Sequence, residues 1–429
     1  MRNRYTKSTQ FLRRAEAIIP LGSQTFSKSK TQYPVGISPL FASRAKGAYL
    51  WDLDGNKYID LVSNLASVTL GYRNRSVETA VRKQMKLGNG YSLPGTLEAI
   101  VAEKISALVP SAEMVRFGKN GTDATSAAIR LARAYTGRDF VAVCGYHGWQ
   151  DWFIGSTSRN KGVPKKTSDL TLTFKFNDIK SLEILFLKHR EEIAAVILEP
   201  MTSDFPAEGF LESVKELCKR NGSVLVFDET ITGFRFAKGG AQELFKVTPD
   251  LSTFGKGIAN GHPLSVVCGR KEIMKEMESI FFSGTFGGEL LSLAAADVVL
   301  DMHGRNEVSP NLYDNGKALA ENLLIVIKQS GMSDYLEIKG HSTWKFLEWK
   351  TVGAFTIPEI KTLFMQEMFR RGVLVLGTHN VTLKHTSKIR DRILVVYNEV
   401  LSSMSSAIRN GNLQSMLRAE PLTPLFKVR

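Results

Sequence analysis

The segment Ser223-Val224-Leu225-Val226-Phe227-Asp228-Glu229 is an apolar run that ends on two carboxylates. It lacks the polar alternation of a half-exposed strand, so it predicts a strand covered on both faces. The pattern repeats outward from it. Between about 76 and 300, helical stretches over 77–87, 96–108, 122–135, 179–190 and 211–220 separate apolar runs over 115–117, 140–144, 193–198, 223–228 and 264–268. Short bare strands between helices predict an α/β fold, a large domain whose mostly parallel, mixed sheet is flanked by helices. Beyond about 310 the chain reads as a smaller α+β domain, with helices over 315–330 and 357–371 and strands over 335–339, 373–376 and 392–396. Near the start, 8–19 has helical spacing, 22–39 is loop, and Asp54-Gly55 turns a hairpin over 48–61. The expected division is an N-terminal segment 1–65 packing with the small domain, a large domain 66–310 and a small α+β domain 311–429.

Composition narrows the function classes. With 43% hydrophobic and 23% charged residues in 429, the chain has material for a core, which excludes fibrous and disordered classes. Its apolar runs fall far short of the roughly 20 residues that span a bilayer. No membrane partner is expected, and Met1-Arg2-Asn3-Arg4-Tyr5-Thr6-Lys7 leads into no apolar leader core, so the expected location is cytoplasmic. Cys144, Cys218 and Cys268 have no metal-ligand spacing, so neither a metal nor a disulfide is expected. The net charge of +14 is spread along the chain without a nucleic-acid motif. It suits steering of an anionic small molecule better than a nucleic-acid partner.

Four short motifs carry chemistry. In Phe254-Gly255-Lys256-Gly257-Ile258-Ala259-Asn260-Gly261 a lysine stands between glycines in an otherwise nearly uncharged segment. It is either a surface charge or a desolvated amine with a lowered pKa, fit to form a Schiff base. Asp228 ends its strand at the sheet edge where open α/β folds bind ligands, either as a structural cap or as a partner to a protonated ring nitrogen. Gly118-Lys119-Asn120-Gly121-Thr122-Asp123 joins a strand to a helix, as a phosphate turn or a plain N-cap. Gly145-Tyr146-His147-Gly148-Trp149 follows another strand, where an aromatic ring can stack on a planar cofactor or simply line the rim.

The four motifs follow one another at successive strand ends, and in that order the chain resembles a class III aminotransferase of the pyridoxal-phosphate fold type I. Within that class it is most similar to the glutamate-1-semialdehyde 2,1-aminomutases. Phe227-Asp228-Glu229-Thr230-Ile231-Thr232-Gly233-Phe234-Arg235, Gly255-Lys256 and Ser283-Gly284-Thr285-Phe286-Gly287-Gly288 carry the likeness, along with the segments above. It runs from about residue 11 to about 301 and is weak beyond. The resemblance implies pyridoxal 5'-phosphate as cofactor, with Lys256 as its covalent anchor and Asp228 on the ring nitrogen. It implies Tyr146 stacked on the ring, and Asn120, Gly121 and Thr122 on the phosphate. His147, Glu199 and Thr230 are implied beside the cofactor. Gly284 and Thr285 would complete a neighbour's phosphate site, which implies a homodimer with shared active sites.

The implied reaction moves an amino group from a donor, expected to be glutamate, to an aldehyde or keto acceptor by a ping-pong cycle through pyridoxamine phosphate. The departures from the family concern substrate. Where the aminomutase holds a carboxylate-binding arginine, Gly22-Ser23-Gln24-Thr25-Phe26-Ser27-Lys28 has a lysine, which lacks the bidentate fork. Glu289 stands where the family's loop continues with Asn-Pro. Gln24, His379, Asn380 and also His385 are uncharged polar groups that suit hydroxyls or are ordinary loop residues. With Lys28 and Glu289, the first three make up the candidate substrate set. They favour a polyhydroxylated, sugar-related carbonyl, with the aminomutase as the alternative.

Overall fold

The computed structural model describes residues 4–351, 353 and 355–422. The chain forms two compact units, one of residues 75–310 and one of 4–74 with 311–422.

The larger continuous unit is built on a seven-stranded sheet: β1 (Met114–Gly118), β2 (Phe140–Cys144), β3 (Thr171–Thr173), β4 (Ile193–Leu198), β5 (Val224–Asp228), β6 (Leu251–Phe254) and β7 (Ser265–Gly269). Their order is β1-β7-β6-β5-β4-β2-β3. Only β7 runs antiparallel to its neighbours, pairing Val266 with Phe254 on one side and with Phe117 on the other. All of β4, β5, β6 and β7 is buried, which is why β4 and β5 are apolar runs without alternation. One core under the sheet joins Ala128, Leu131 and Ala132 of the helix Gly121–Thr136 to Val141, Ile197, Val226 and Val267. A second, against the other face, joins Leu182, Phe186, Phe210 and Val214 to Val196, Leu225 and Phe227. The mixed sheet between helices is the one expected from the alternation. β3 and β6 escape the sequence pattern because one is three residues long and the other carries Ser252 and Thr253.

In the other unit, a four-stranded sheet orders Ala42–Lys46, Tyr49–Asp52, Lys57–Asp60 and Val373–Leu374. A three-stranded antiparallel sheet orders Leu336–Lys339, Trp344–Trp349 and Thr378–Asn380. Tyr58, Ile59 and Leu61 from the N-terminal segment share a single core with Leu323, Phe364, Met368 and Tyr397. One expectation is corrected: residues 392–396 are not a strand but part of the helix Ser387–Arg409. The run Ile393-Leu394-Val395-Val396-Tyr397 has strand composition, but its buried positions continue as Ile393, Val396, Tyr397, Val400, Leu401 and Met404, a helical stripe. Tertiary burial outweighs β-branched propensity there.

Gly316 lies inside the helix Ser309–Gln329, where a methyl group would run into the carbonyl oxygen of Ser342. Gly316→Ala would ordinarily gain helix propensity. Here it is expected to destabilise by about 2 kcal/mol or more, since backbone must move to admit one carbon. Chemical denaturation with a lowered midpoint and unchanged slope would show it.

Candidate active site

The two carboxylates that end β5 have separate tasks. Asp228 is 5% exposed. Its Oδ2 lies 2.9 Å from His147 Nδ1, and its Oδ1 accepts from Thr230 Oγ1 at 2.6 Å and Thr253 Oγ1 at 3.1 Å. Burial alone would raise its pKa, but His147 and Thr230 outweigh that and hold the carboxyl below its ordinary range. It is therefore an anion. Glu229 points elsewhere and accepts from Ala241 N, Gln242 N, Gln242 Nε2 and Thr232 Oγ1. Burial raises its pKa, and its bonds tie down the start of the next helix.

Lys256 follows β6 across Gly255 and has φ +44°, a left-handed conformation that a lysine adopts only under tertiary constraint. Its neighbours Gly257, Ile258 and Ala259 are buried while Lys256 is partly accessible. Burial lowers the Lys256 pKa against the opposing pull of Glu199 and Asp228, and Arg235 adds to the lowering. The free amine is thereby favoured, as a nucleophile or proton acceptor requires.

The turn before the helix Gly121–Thr136 packs directly against these groups. A side chain at Gly121 would come 3.1 Å from Thr230 Cγ2, and one at Gly255 would come 3.3 Å from the same atom and 3.9 Å from Gly121 Cα. Thr230 therefore joins the turn, the lysine segment and Asp228. Asp123 Oδ2 accepts from Lys119 N and Asn120 N. The amides of Gly121 and Thr122 belong to the first turn, where no carbonyl of the helix reaches them, and they suit an anion.

The loop after β2 completes this cluster. Gly148 has φ +107°, and a side chain there would strike Thr122 Cβ at 2.7 Å. That close approach lets Trp149 N donate to Thr122 Oγ1 at 3.3 Å. Tyr146 N donates to Glu199 Oε2 at 3.0 Å; the residue is 47% exposed, with its ring edge-on to Phe153. His147 is buried behind Asp228, with Nε2 3.2 Å from the Cys144 carbonyl. Glu199 follows β4, and its burial and Asp228 raise its pKa. Asn120, Gly121, Thr122, Tyr146, His147, Glu199, Asp228, Thr230 and Lys256 are thus brought to one group of strand ends and turns within this unit. A reactive amine, a buried anion, an exposed aromatic face and an anion-binding turn suit a planar, phosphorylated, carbonyl-bearing heterocycle. Among the described residues, no group of three or more His, Cys, Asp or Glu side chains is placed to hold a metal ion.

The other candidates fall elsewhere. Gly284 and Thr285 stand exposed in a loop between Phe281 and Phe286, themselves 83% and 67% exposed. Glu289 caps the helix Leu290–Gly304, accepting from Leu291 N and Ser292 N, and also pairs with Lys119. In the other unit Gln24 is exposed, and Lys28 Nζ donates to Asn64 Oδ1 at 2.7 Å. Burial lowers the Lys28 pKa, partly offset by Asp60. Asn64 escaped sequence reasoning: Ser63, Asn64, Leu65 and Ala66 all have positive φ, a left-handed turn with no glycine to announce it. The expectation that His379 and Asn380 present hydroxyl-binding groups is corrected. His379 Nε2 is buried 2.6 Å from Tyr397 Oη, and Asn380 Nδ2 donates to Val62 O at 2.8 Å in the same core. His385 is likewise enclosed, with Nδ1 accepting from Thr382 N and Nε2 3.1 Å from Asp60 O.

Fold and site together describe an enzyme of the aminotransferase type. The family Aminotransferase class-III matches residues 32–401, and the chain belongs to it. It is similar to the glutamate-1-semialdehyde 2,1-aminomutase of Alkaliphilus oremlandii, 41% identical over 336 residues, which are 74% of this chain and 78% of that protein. The enzyme of that name from Syntrophobacter fumaroxidans is 38% identical over 307 residues, 67% of this chain and 71% of its own. Among solved structures, the pyridoxal-phosphate internal aldimine form of the FumI protein of Sphingopyxis sp. MTA144 matches with a TM-score of 0.88 and 27% identity, over 97% of this chain and 99% of that one.

Proposed function

We propose that this chain is a pyridoxal 5'-phosphate-dependent aminotransferase that takes an amino group from glutamate and delivers it to an aldehyde or keto acceptor. The observation that carries the proposal is the meeting of Asp228, Thr230, Gly121 and Gly255-Lys256 around one side chain. The residues fit the cofactor. Lys256 is its covalent anchor, Asp228 the partner of its ring nitrogen and Tyr146 its stacking face. Asn120, Gly121 and Thr122 receive the phosphate, while His147, Thr230 and Glu199 hold those groups in place. When bound, the protonated ring supplies an electron sink for the charge left by the departing α proton. The Lys256 amine, whose protonation burial disfavours, would take that proton from the donor's α carbon and hand it back to complete the exchange. Asp228, kept ionised by His147 and Thr230, keeps the ring nitrogen protonated. The exposed Gly284-Thr285 loop, flanked by exposed Phe281 and Phe286, supports a homodimer in which each copy contributes these two residues to the other's phosphate site.

Lys28 favours this reading over the aminomutase. A lysine gives a carboxylate no bidentate fork, and this one is already bonded to Asn64. The aminomutase is kept as a second reading because the two relatives described above carry that name. Absorption spectra separate them. The purified protein with cofactor is expected to show a visible band that L-glutamate converts to a near-ultraviolet one, and to leave glutamate 1-semialdehyde unchanged without a donor. A band unmoved by glutamate, with donor-free turnover of the semialdehyde, would establish the aminomutase instead.

A further inference from the structure

The exposed loop that carries Gly284-Thr285 is fastened at both ends to the strand and helix that form the chain's own phosphate turn. At its start, Arg130 Nη1 donates to Phe281 O at 2.9 Å and Arg116 Nη2 to Phe282 O at 3.2 Å. At its end, Lys119 Nζ lies 3.2 Å from Glu289 Oε2, with the two side chains only 19% and 20% exposed. Between these fastenings Ser283, Gly284, Thr285 and Phe286 are all exposed, and a cavity of about 400 Å³ separates them from Phe117, Gly118 and Asp123. Internally the loop has turn bonds from Gly287 N to Gly284 O and from Glu289 N to Phe286 O.

Lys119 immediately precedes Asn120-Gly121-Thr122, so the ion pair joins two anion-binding elements that are 170 residues apart in the chain. Glu289 also receives Ser292 Oγ at 2.7 Å besides the two amides it caps. Burial would raise the Glu289 pKa, but the bonds from Ser292, Leu291 and Lys119 bring it below the ordinary value. Glu289 therefore keeps its cap without Lys119, whereas Glu289 is the carboxylate paired with Lys119 among the described residues. Loss of the pair would loosen the loop and leave the helix intact.

We infer that the Lys119–Glu289 pair is a latch that sets the position of the Gly284-Thr285 loop relative to its own phosphate turn, so that both residues position the cofactor-phosphate site of a second copy of this chain. This rests on the proposed cofactor and homodimer. The backbone fastenings from Arg116 and Arg130 hold the entry of the loop whatever the state of the latch. At its exit the ion pair acts beside the Leu290 N to Asn89 O bond at 2.9 Å and is the fastening that reaches the phosphate turn.

The test is a double-mutant cycle on cofactor affinity. Lys119→Met and Glu289→Gln each remove the charge pair, and the glutamine retains an oxygen for the helix cap. Each is expected to weaken pyridoxal-phosphate binding, measured by equilibrium dialysis of the full-length protein, by about tenfold, equivalent to about 1.4 kcal/mol. The double variant should be no weaker than either single one, and Lys119→Arg should bind like wild type. Thermal melting of the apo-proteins checks that all four fold. Wild-type affinity in Lys119→Met, or effects that multiply in the double variant, would overturn the latch. Failure of wild type itself to bind the cofactor would overturn the proposed function, a separate outcome.

Discussion

Lys256→Ala is expected to lower turnover by at least about 10³-fold, since under the proposed function it removes both the covalent anchor and the proton carrier at once. The visible band should vanish while the variant still binds cofactor through the phosphate turn and Asp228. The pH dependence has a defined sign. Burial lowers the folded-state pKa of Lys256 below that of an ordinary lysine, despite Glu199 and Asp228. Between the lowered value and the ordinary one, the unfolded chain binds more protons than the folded one, so this group makes apo-protein stability rise with pH. That contribution is complete above the unfolded pKa and is lost as pH falls through the folded one. Lys256→Ala should lack this rise, which denaturant titrations at several pH values would reveal. A variant that retains a tenth of wild-type turnover would remove Lys256 from the chemistry.

Asp228→Asn should have the second-largest effect, a loss of about 10²–10³ in kcat, as for other removals of one buried electrostatic partner. The amide keeps the shape but cannot hold a ring nitrogen protonated. Its effect should fall on kcat rather than on cofactor affinity, because the phosphate turn and Lys256 remain. His147 touches the Asp228 carboxylate itself at 2.9 Å, so its replacement should act through Asp228. His147→Ala is expected to raise the Asp228 pKa and to move the acid limb of the kcat profile to higher pH. Stopped-flow measurement of the half-reaction with glutamate isolates both effects from product release.

Much of the site was legible because chemistry and topology coincide at strand ends. Asp228 closes an apolar run, Lys256 stands alone among glycines, and Gly121-Thr122 starts a helix. Each has a local signature in the chain, and the α/β alternation places all of them on one sheet edge. The C-terminal unit was harder. Residues 392–396 were misassigned because β-branched composition competes with helical spacing, and only the buried partners of Ile393, Val396 and Tyr397 decide between them. Trp344–Trp349 escaped because its Lys345 and Glu348 interrupt the apolar pattern of a strand.

His379 and Asn380 show a different limit. Polar side chains in a loop-like segment suggest ligand binding, yet here Tyr397 Oη engages His379 Nε2 and Val62 O accepts from Asn380 Nδ2. A buried polar group must find a partner, and the sequence does not say whether that partner is a ligand or the fold.

By itself, the sequence determined the α/β sheet and singled out Lys256, Asp228 and the Gly121-Thr122 turn as candidates, because each rests on local periodicity or on a motif only a few residues long. Only the tertiary structure decided that Thr230 unites three of them, that His147 backs Asp228, and that Lys119 pairs with Glu289. Those contacts join residues up to 170 positions apart, and no local propensity or spacing carries them. They exist because packing the helices against the sheet brings distant strand ends to one place, where a buried charge is costly unless it is paired.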